Sequence, residues 1–274
     1  MAFSDETVWI TGASSGIGAA MARALAAQGA RLILSGRNEA ALAAVAKGLG
    51  ETLVLPFEVT DHAAMTTAAA RAWEWAEAIS GGIDMLINNA GISQRALAVD
   101  TAYPVYERIV AVDLLAPIAL TQAVLPRMVA RGSGRIVMIS SVAGKVGVPL
   151  RTAYSAAKFG LIGYSDALRS EVAHLGLKVH VIAPGSIRTN VARNALTADG
   201  SPRGASDPGI EGGIDPDVAA LEMLAAIAAD EREIIVATGA EKQLGEMRRT
   251  PDALFDKVAG WIAAGYATRM ETPQ

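Results

Sequence analysis

The chain has 274 residues, 51% hydrophobic and 19% charged, with a formal net charge of -4 and no cysteine. That length and apolar fraction suit one globular unit with a substantial core. Mild acidity without any Lys/Arg cluster argues against a nucleic-acid surface, and the missing cysteines exclude disulfides, thiolate nucleophiles and cysteine metal sites.

The opening MAFSDETVWITG has no basic n-region and no long apolar h-region, so no secretory leader is expected. No stretch reaches the about 18 uninterrupted apolar residues of a membrane span, which predicts a soluble, cytoplasmic protein. Strands are predicted at 7–11, 31–35, 52–57, 83–89, 135–140, 178–183 and 233–238, each rich in Val, Ile and Leu. Helical segments lie between them, and this alternation predicts an α/β fold, a parallel sheet with helices on both faces.

In residues 16–28, Ile17, Met21 and Leu25 form one buried stripe that Gly29 can end. Residues 38–49 read similarly, and 61–79 carry Trp73 and Trp75 as packing residues. His62, His174 and His180 lack ligand-like spacing and read as surface or helix-end residues. The stretch 197–217, rich in Gly, Pro, Asp and Ser, reads as a long excursion, either a functional lid or disordered. Residues 240–274 look like an amphipathic helical extension in which Trp261 and Tyr266 mainly pack the core.

The first strand runs into TGASSGIG, and a helix follows directly. A glycine-rich turn there lets backbone N–H groups approach a pyrophosphate at a helix N-terminus, making Gly12, Ser14, Ser15, Gly16, Ile17 and Gly18 the candidate cradle. An acid that would bind the ribose 2′-hydroxyl is expected at the end of the second strand, but that strand ends LSGRN, with Gly36 at the place and Arg37 after it. No carboxylate repels a 2′-phosphate there and a guanidinium can bind it, so NADP(H) is expected in preference to NAD(H). Ser35 and Asn38 are candidates for further hydrogen bonds.

In SSVAGKVGVPLRTAYSAAKFG, Tyr154 and Lys158 are four apart and share a helix face. A tyrosine that exchanges protons with an alcohol needs a cation beside it to favour the phenolate, and Lys158 can supply one. Ser141 ends the preceding strand, facing the crevice where open α/β sheets bind ligands. Ser141 then orients and polarises a substrate oxygen, and Tyr154 gives or takes its proton.

With TGASSGIG (11–18), NNAG (88–91), Ser141 with YSAAK (154–158), and PGSIRT (184–189), in that order and spacing, the chain resembles the compact single-domain short-chain dehydrogenases/reductases over roughly residues 5–195. The resemblance implies a doubly wound Rossmann fold with a seven-stranded parallel sheet, and hydride transfer between nicotinamide C4 and a carbonyl or alcohol carbon. It further implies that Asn88, Asn89, Ala90 and Gly91 flank the adenosine ribose and stabilise the central strand, and that Lys158 also holds the nicotinamide ribose. Pro184, Gly185, Ile187 and Thr189 would meet the carboxamide and phosphates, and Val59 the adenine.

Two positions depart from the family pattern. Asp113 stands where the fourth catalytic residue is usually asparagine, a position that supports a water beside the lysine partly through its backbone carbonyl. Because any residue keeps that carbonyl, the exchange is expected to be tolerated, although a carboxylate would partly offset Lys158. Glu58 replaces the usual aspartate before the adenine-side valine and is a candidate for the adenine amine.

The expected activity is an NADPH-dependent carbonyl reductase, acting in reverse as a secondary-alcohol dehydrogenase. The alternative is an NADP-binding sensor or structural protein with little turnover. Enoyl reduction and sugar-nucleotide epimerisation fit the glycine and Tyr–Lys spacings poorly. Gln94, Ala143, Val146, Leu150 and Ser186, with the 190–215 segment, form the predicted substrate wall, which favours an uncharged ketone or alcohol. Arg95, Arg151, Arg188 and Arg193 are read as solvated. Helix 153–175 is small and apolar on more than one face, which predicts a homodimer or homotetramer.

Overall fold

The strands are β1 (Thr7–Thr11), β2 (Arg31–Ser35), β3 (Thr52–Val54), β4 (Met85–Asn88), β5 (Gly134–Ile139), β6 (Leu177–Pro184) and β7 (Glu233–Val236), and they form one sheet in the order β3-β2-β1-β4-β5-β6-β7. Every pairing is parallel. The structure, a computed structural model, describes residues 2–265.

Strand side chains alternate between two cores, as a period of two requires. Val8, Ile10, Leu32 and Leu34 face one side, where Met21 and Leu25 of α1 (Gly16–Ala26) and Met223 and Leu224 of α8 (Pro216–Ala228) meet them. Trp9, Ile33, Leu86 and Ile136 face the other. That face is covered by α3 (His62–Ser80), α5 (Ala116–Arg131) and α6 (Thr152–Val172). Leu25 is fully buried, so cutting it to alanine would cost about 2–5 kcal/mol.

The expected strands all form, with shifted ends. β3 stops at Val54 instead of 57, although Leu55 and Phe57 still donate to the β2 side, to the carbonyls of Leu34 and Gly36. In α3, Asp61 accepts from the N–H groups of Ala63 and Ala64, and Gly81 ends the helix in the left-handed region at φ 82.

Some expectations are corrected and others narrowed. His180 lies buried in β6, its Nδ1 2.7 Å from the Glu231 carbonyl oxygen, because strand alternation points it under the 230–232 turn. Residues 197–217 form an ordered strap with a short helix, α7 (Pro208–Glu211), tied to the core where Asp207 meets Arg95 at 3.0 Å. Arg95 is therefore an ion-pair partner there, with its side chain largely buried. The C-terminal extension is two helices, α9 (Gly239–Met247) and α10 (Asp252–Ala263); Trp261 is 50% exposed on the second and packs no core, and Tyr266 lies outside the described residues.

One helical run, Tyr103–Arg131, is long and apolar enough by length and composition to cross a membrane, although no uninterrupted apolar stretch suggested it. Its Leu120, Val124 and Met128 are buried in the core under the sheet. The chain order reverses between β1 and β4, and the crevice at their carboxyl ends is where the sequence motifs converge.

Candidate active site

The candidate active-site residues arrive from three elements. Ser141 lies two residues past the end of β5; its hydroxyl accepts from the Ala143 N–H at 3.1 Å and donates to the Pro184 carbonyl at 3.3 Å, which fixes it near the strand end. Tyr154 and Lys158 occupy the first two turns of α6, with the Lys158 ammonium 5.6 Å from the Tyr154 ring centre. Helix and strand approach closely because Gly144 intervenes: a Cβ there would lie 2.8 Å from the Lys158 carbonyl oxygen.

Lys158 is buried, donates to the Ile139 carbonyl at 3.0 Å and lies 3.1 Å from Asp113 Oδ2. Burial alone would favour the neutral amine; Asp113 and Tyr154 reverse that and hold the ammonium above the ordinary lysine range. Asp113 is fully buried, and burial pushes its carboxyl up while Lys158 and the Ile92 N–H pull it down. The contact with Lys158 is an ion pair without an aligned hydrogen bond, whereas Oδ1 accepts the Ile92 N–H at 2.8 Å.

Asp113 lies in a π-helical turn, Ala111–Leu115, between α4 (Tyr103–Val110) and α5. Pro117, four residues on, has no N–H for the Asp113 carbonyl, so the regular α-helical bond cannot form there. The Asp113 carbonyl thus lacks its regular α-helical partner for a reason set by the chain. Asp113→Ala would leave it intact.

At the cofactor end, Gly12 and Gly16 adopt left-handed φ values of 65 and 55. Thr11 and Asn89 lock the turn: Thr11 Oγ1 accepts from the Asn89 and Ala90 N–H groups, and the Asn89 amide donates to the Thr11 carbonyl at 2.9 Å. A Cβ on Gly18 would come 2.5 Å from that same amide. Asn88 is buried on β4, donating to Thr121 Oγ1 at 3.1 Å across to α5, which steadies the central strand. A cavity of about 460 Å³ opens beside the turn between Ser14, Gly16, Arg188, Thr189 and Arg193. Its narrow floor, where a Cβ on Gly16 would meet Thr189 Cγ2 at 3.1 Å, its exposed turn and its arginines fit a dinucleotide diphosphate.

Arg37, just past β2, has a side chain 68% exposed and pairs loosely with Glu58 at 3.7 Å. A Cβ on Gly36 would touch Ser14 Oγ and Leu42 Cδ2, both at 3.7 Å. Ser35 is buried and accepts the Trp9 indole N–H at 2.8 Å, so its hydroxyl is spent inside the sheet. Asn38 caps α2 (Glu39–Ala46), accepting from the Ala41 N–H at 3.0 Å. Glu58 also accepts from the Thr60 N–H, and Val59 is buried in the core behind it.

The expected substrate wall divides. Ala143 is buried, Val146 partly so, and Leu150 is exposed with φ 66. Gln94 is fully buried; it accepts from the Ala153 N–H at 2.9 Å and donates to Thr101, and so supports the start of α6. Ser186 has both its N–H (2.7 Å) and its hydroxyl (2.9 Å) on the Glu241 carboxylate. Neither polar group is free, because each closes a helix or loop end whose backbone lacks another partner.

Three supporting residues went unread in the sequence. Glu241, from α9, braces the loop that carries Ile187 and Thr189. Lys145 and Glu233 form a buried ion pair joining the loop after Ser141 to β7. No motif marks such pairs, because their partners are about ninety residues apart; only Pro117 after Asp113 was a local signal.

A family model described as short chain dehydrogenase matches residues 6–200. The zebrafish (Danio rerio) protein called dehydrogenase/reductase SDR family member 7B is 41% identical over 243 residues, covering 85% of this chain and 77% of that one. A short-chain dehydrogenase from Sphingobium yanoikuyae, solved in complex with NADPH, is 27% identical with a TM-score of 0.74 over 98% of this chain and 96% of that one. A Burkholderia phymatum enzyme of the same fold, solved in complex with NAD, is 21% identical with a TM-score of 0.74, covering 86% and 90%. The reversal between β1 and β4, the locked glycine turn and the lysine beneath Tyr154 accord with these likenesses, and the chain belongs to the short-chain dehydrogenases/reductases, oxidoreductases that use a nicotinamide dinucleotide.

Proposed function

We propose that the chain is an NADPH-dependent carbonyl reductase, acting in reverse as a secondary-alcohol dehydrogenase. The observation that carries this reading is the buried Lys158 ammonium held 5.6 Å from the Tyr154 ring centre, on a helix that abuts the Ser141 strand end. When bound, the cofactor supplies hydride exchange at nicotinamide C4. Ser141, turning its hydroxyl away from the Pro184 carbonyl, donates to the substrate oxygen, and Tyr154 gives that oxygen its phenolic proton as the carbonyl carbon is reduced. Lys158 stabilises the phenolate left behind, and oxidation runs the same proton the other way.

Gly36 and Arg37 support NADP(H) over NAD(H), since β2 ends without an acid and a 2′-phosphate would compete with Glu58, loosely paired at 3.7 Å, for the Arg37 guanidinium. Ala143, Val146 and Leu150 support an uncharged ketone or alcohol. A cytoplasmic homodimer or homotetramer, joined through α6, completes the reading.

Titration with NADPH and NADH by fluorescence, followed by a panel of ketones, aldehydes and diketones, tests it. Turnover confined to NADPH is expected, with Tyr154→Phe about 100- to 10,000-fold slower at nearly unchanged cofactor affinity. Equal rates for wild type and Tyr154→Phe would defeat the reading.

A further inference from the structure

The pocket around Asp113 presents two donors and needs two acceptors. The Ile92 N–H points at Oδ1 from the chain after β4, and the Lys158 ammonium faces Oδ2 from α6. A carboxylate meets both. An amide, the usual group here, has one acceptor and one donor, so in either orientation it would set an N–H against one of these two donors. Gly91 seals the pocket, since even a Cβ would come 3.2 Å from Asp113 Oδ2 and 3.5 Å from Lys158 Nζ.

We propose that Asp113 is a positioning residue that holds Lys158 as a fixed buried counter-ion, and that its charge moderates the field of the ammonium at Tyr154, so that the enzyme oxidises alcohols at a higher pH than an amide in its place would allow. The proposal rests on the dehydrogenase reading for its effect on rate, but not for the ion pair itself. Tyr154 from α6 and Asp113 from the π-helical turn are the titratable groups that act on Lys158 among the described residues. β5 faces it with the Ile139 carbonyl alone, and the chain after β4 with the backbone of Gly91 and Ile92.

Removing a negative charge beside the ammonium favours loss of a proton from every group nearby, which fixes the sign. In Asp113→Asn, the midpoint of the rising limb of kcat/KM for alcohol oxidation is expected about one pH unit lower than in the parent. Asp113→Ser, smaller and equally neutral, should move it the same way and guards against an effect of the amide alone. The second readout needs no turnover: NMR of 13C-labelled lysine, with Lys158 identified by loss of its signal in Lys158→Arg, should show Lys158 losing its proton at lower pH in both variants.

Superimposable pH profiles together with an unmoved Lys158 titration would overturn the proposal. A moved Lys158 titration in a protein that turns over no alcohol would uphold the ion pair and remove the dehydrogenase reading instead.

Discussion

At the residue scale, cofactor choice turns on Arg37. Its only ion-pair partner among the described residues is Glu58 at 3.7 Å, both side chains are well exposed, and such a pair is worth little. A 2′-phosphate offers a stronger, charge-assisted contact. Arg37→Ala should therefore weaken NADPH about ten- to a hundred-fold and leave NADH nearly unchanged, as read by fluorescence titration. The same scale explains which site residues were legible. Ser141, Tyr154 and Lys158 were, because their chemistry dictates their spacing along one strand end and one helix. Ser35, Gln94 and Ser186 carry the same kinds of polar group beside the same motifs, yet the Trp9 indole, the Ala153 N–H and Glu241 occupy them. Such partners lie far off in the chain and leave no local pattern.

At the scale of elements, the inner strands were legible because both their faces are largely buried, so each reads as a nearly unbroken apolar run, whereas the edge strand β3 is only half-buried. The π-helical turn was not, since one extra residue in a turn barely disturbs the spacing of apolar positions. β6 hides a titratable group that its pattern did not distinguish. Burial lowers the pKa of His180 below its ordinary value, with the Glu231 carbonyl and Asp230 opposing. Its neutral form is the one the fold accommodates. In the unfolded chain the ring takes a proton below about pH 6.5, so the unfolded state binds more protons there and stability falls as pH drops from about 6.5 toward the depressed folded value. Urea midpoints should drop between pH 7 and 5.5, and His180→Gln should flatten that limb.

For the whole molecule, two cores on opposite faces of one sheet hold the crevice open, and α6 contributes to both packing and chemistry. Its Leu161 and Leu168 are buried under the sheet, whereas Gly163 is exposed and a Cβ there would meet nothing within 4 Å. Outward small residues of this kind suit a second helix at close range. Light scattering should give a dimer or tetramer at micromolar concentration, and Gly163→Arg, harmless within one chain, should shift it toward monomer. A monomeric parent would count against assembly through α6.

The Lys145–Glu233 pair bears on how the enzyme matures. The proposed catalytic groups Ser141, Tyr154 and Lys158, with Asp113 beside them, lie between positions 113 and 158, and during synthesis these leave the ribosome well before β7 exists. Until β7 inserts at the edge of the sheet, the loop after Ser141 carries a lysine destined for the interior with no counter-charge to meet it there, and burying that cation alone is strongly unfavourable. Glu241 reaches Ser186 later still. The nascent chain thus holds these groups in an unfinished frame until the last strand supplies the missing counter-charge.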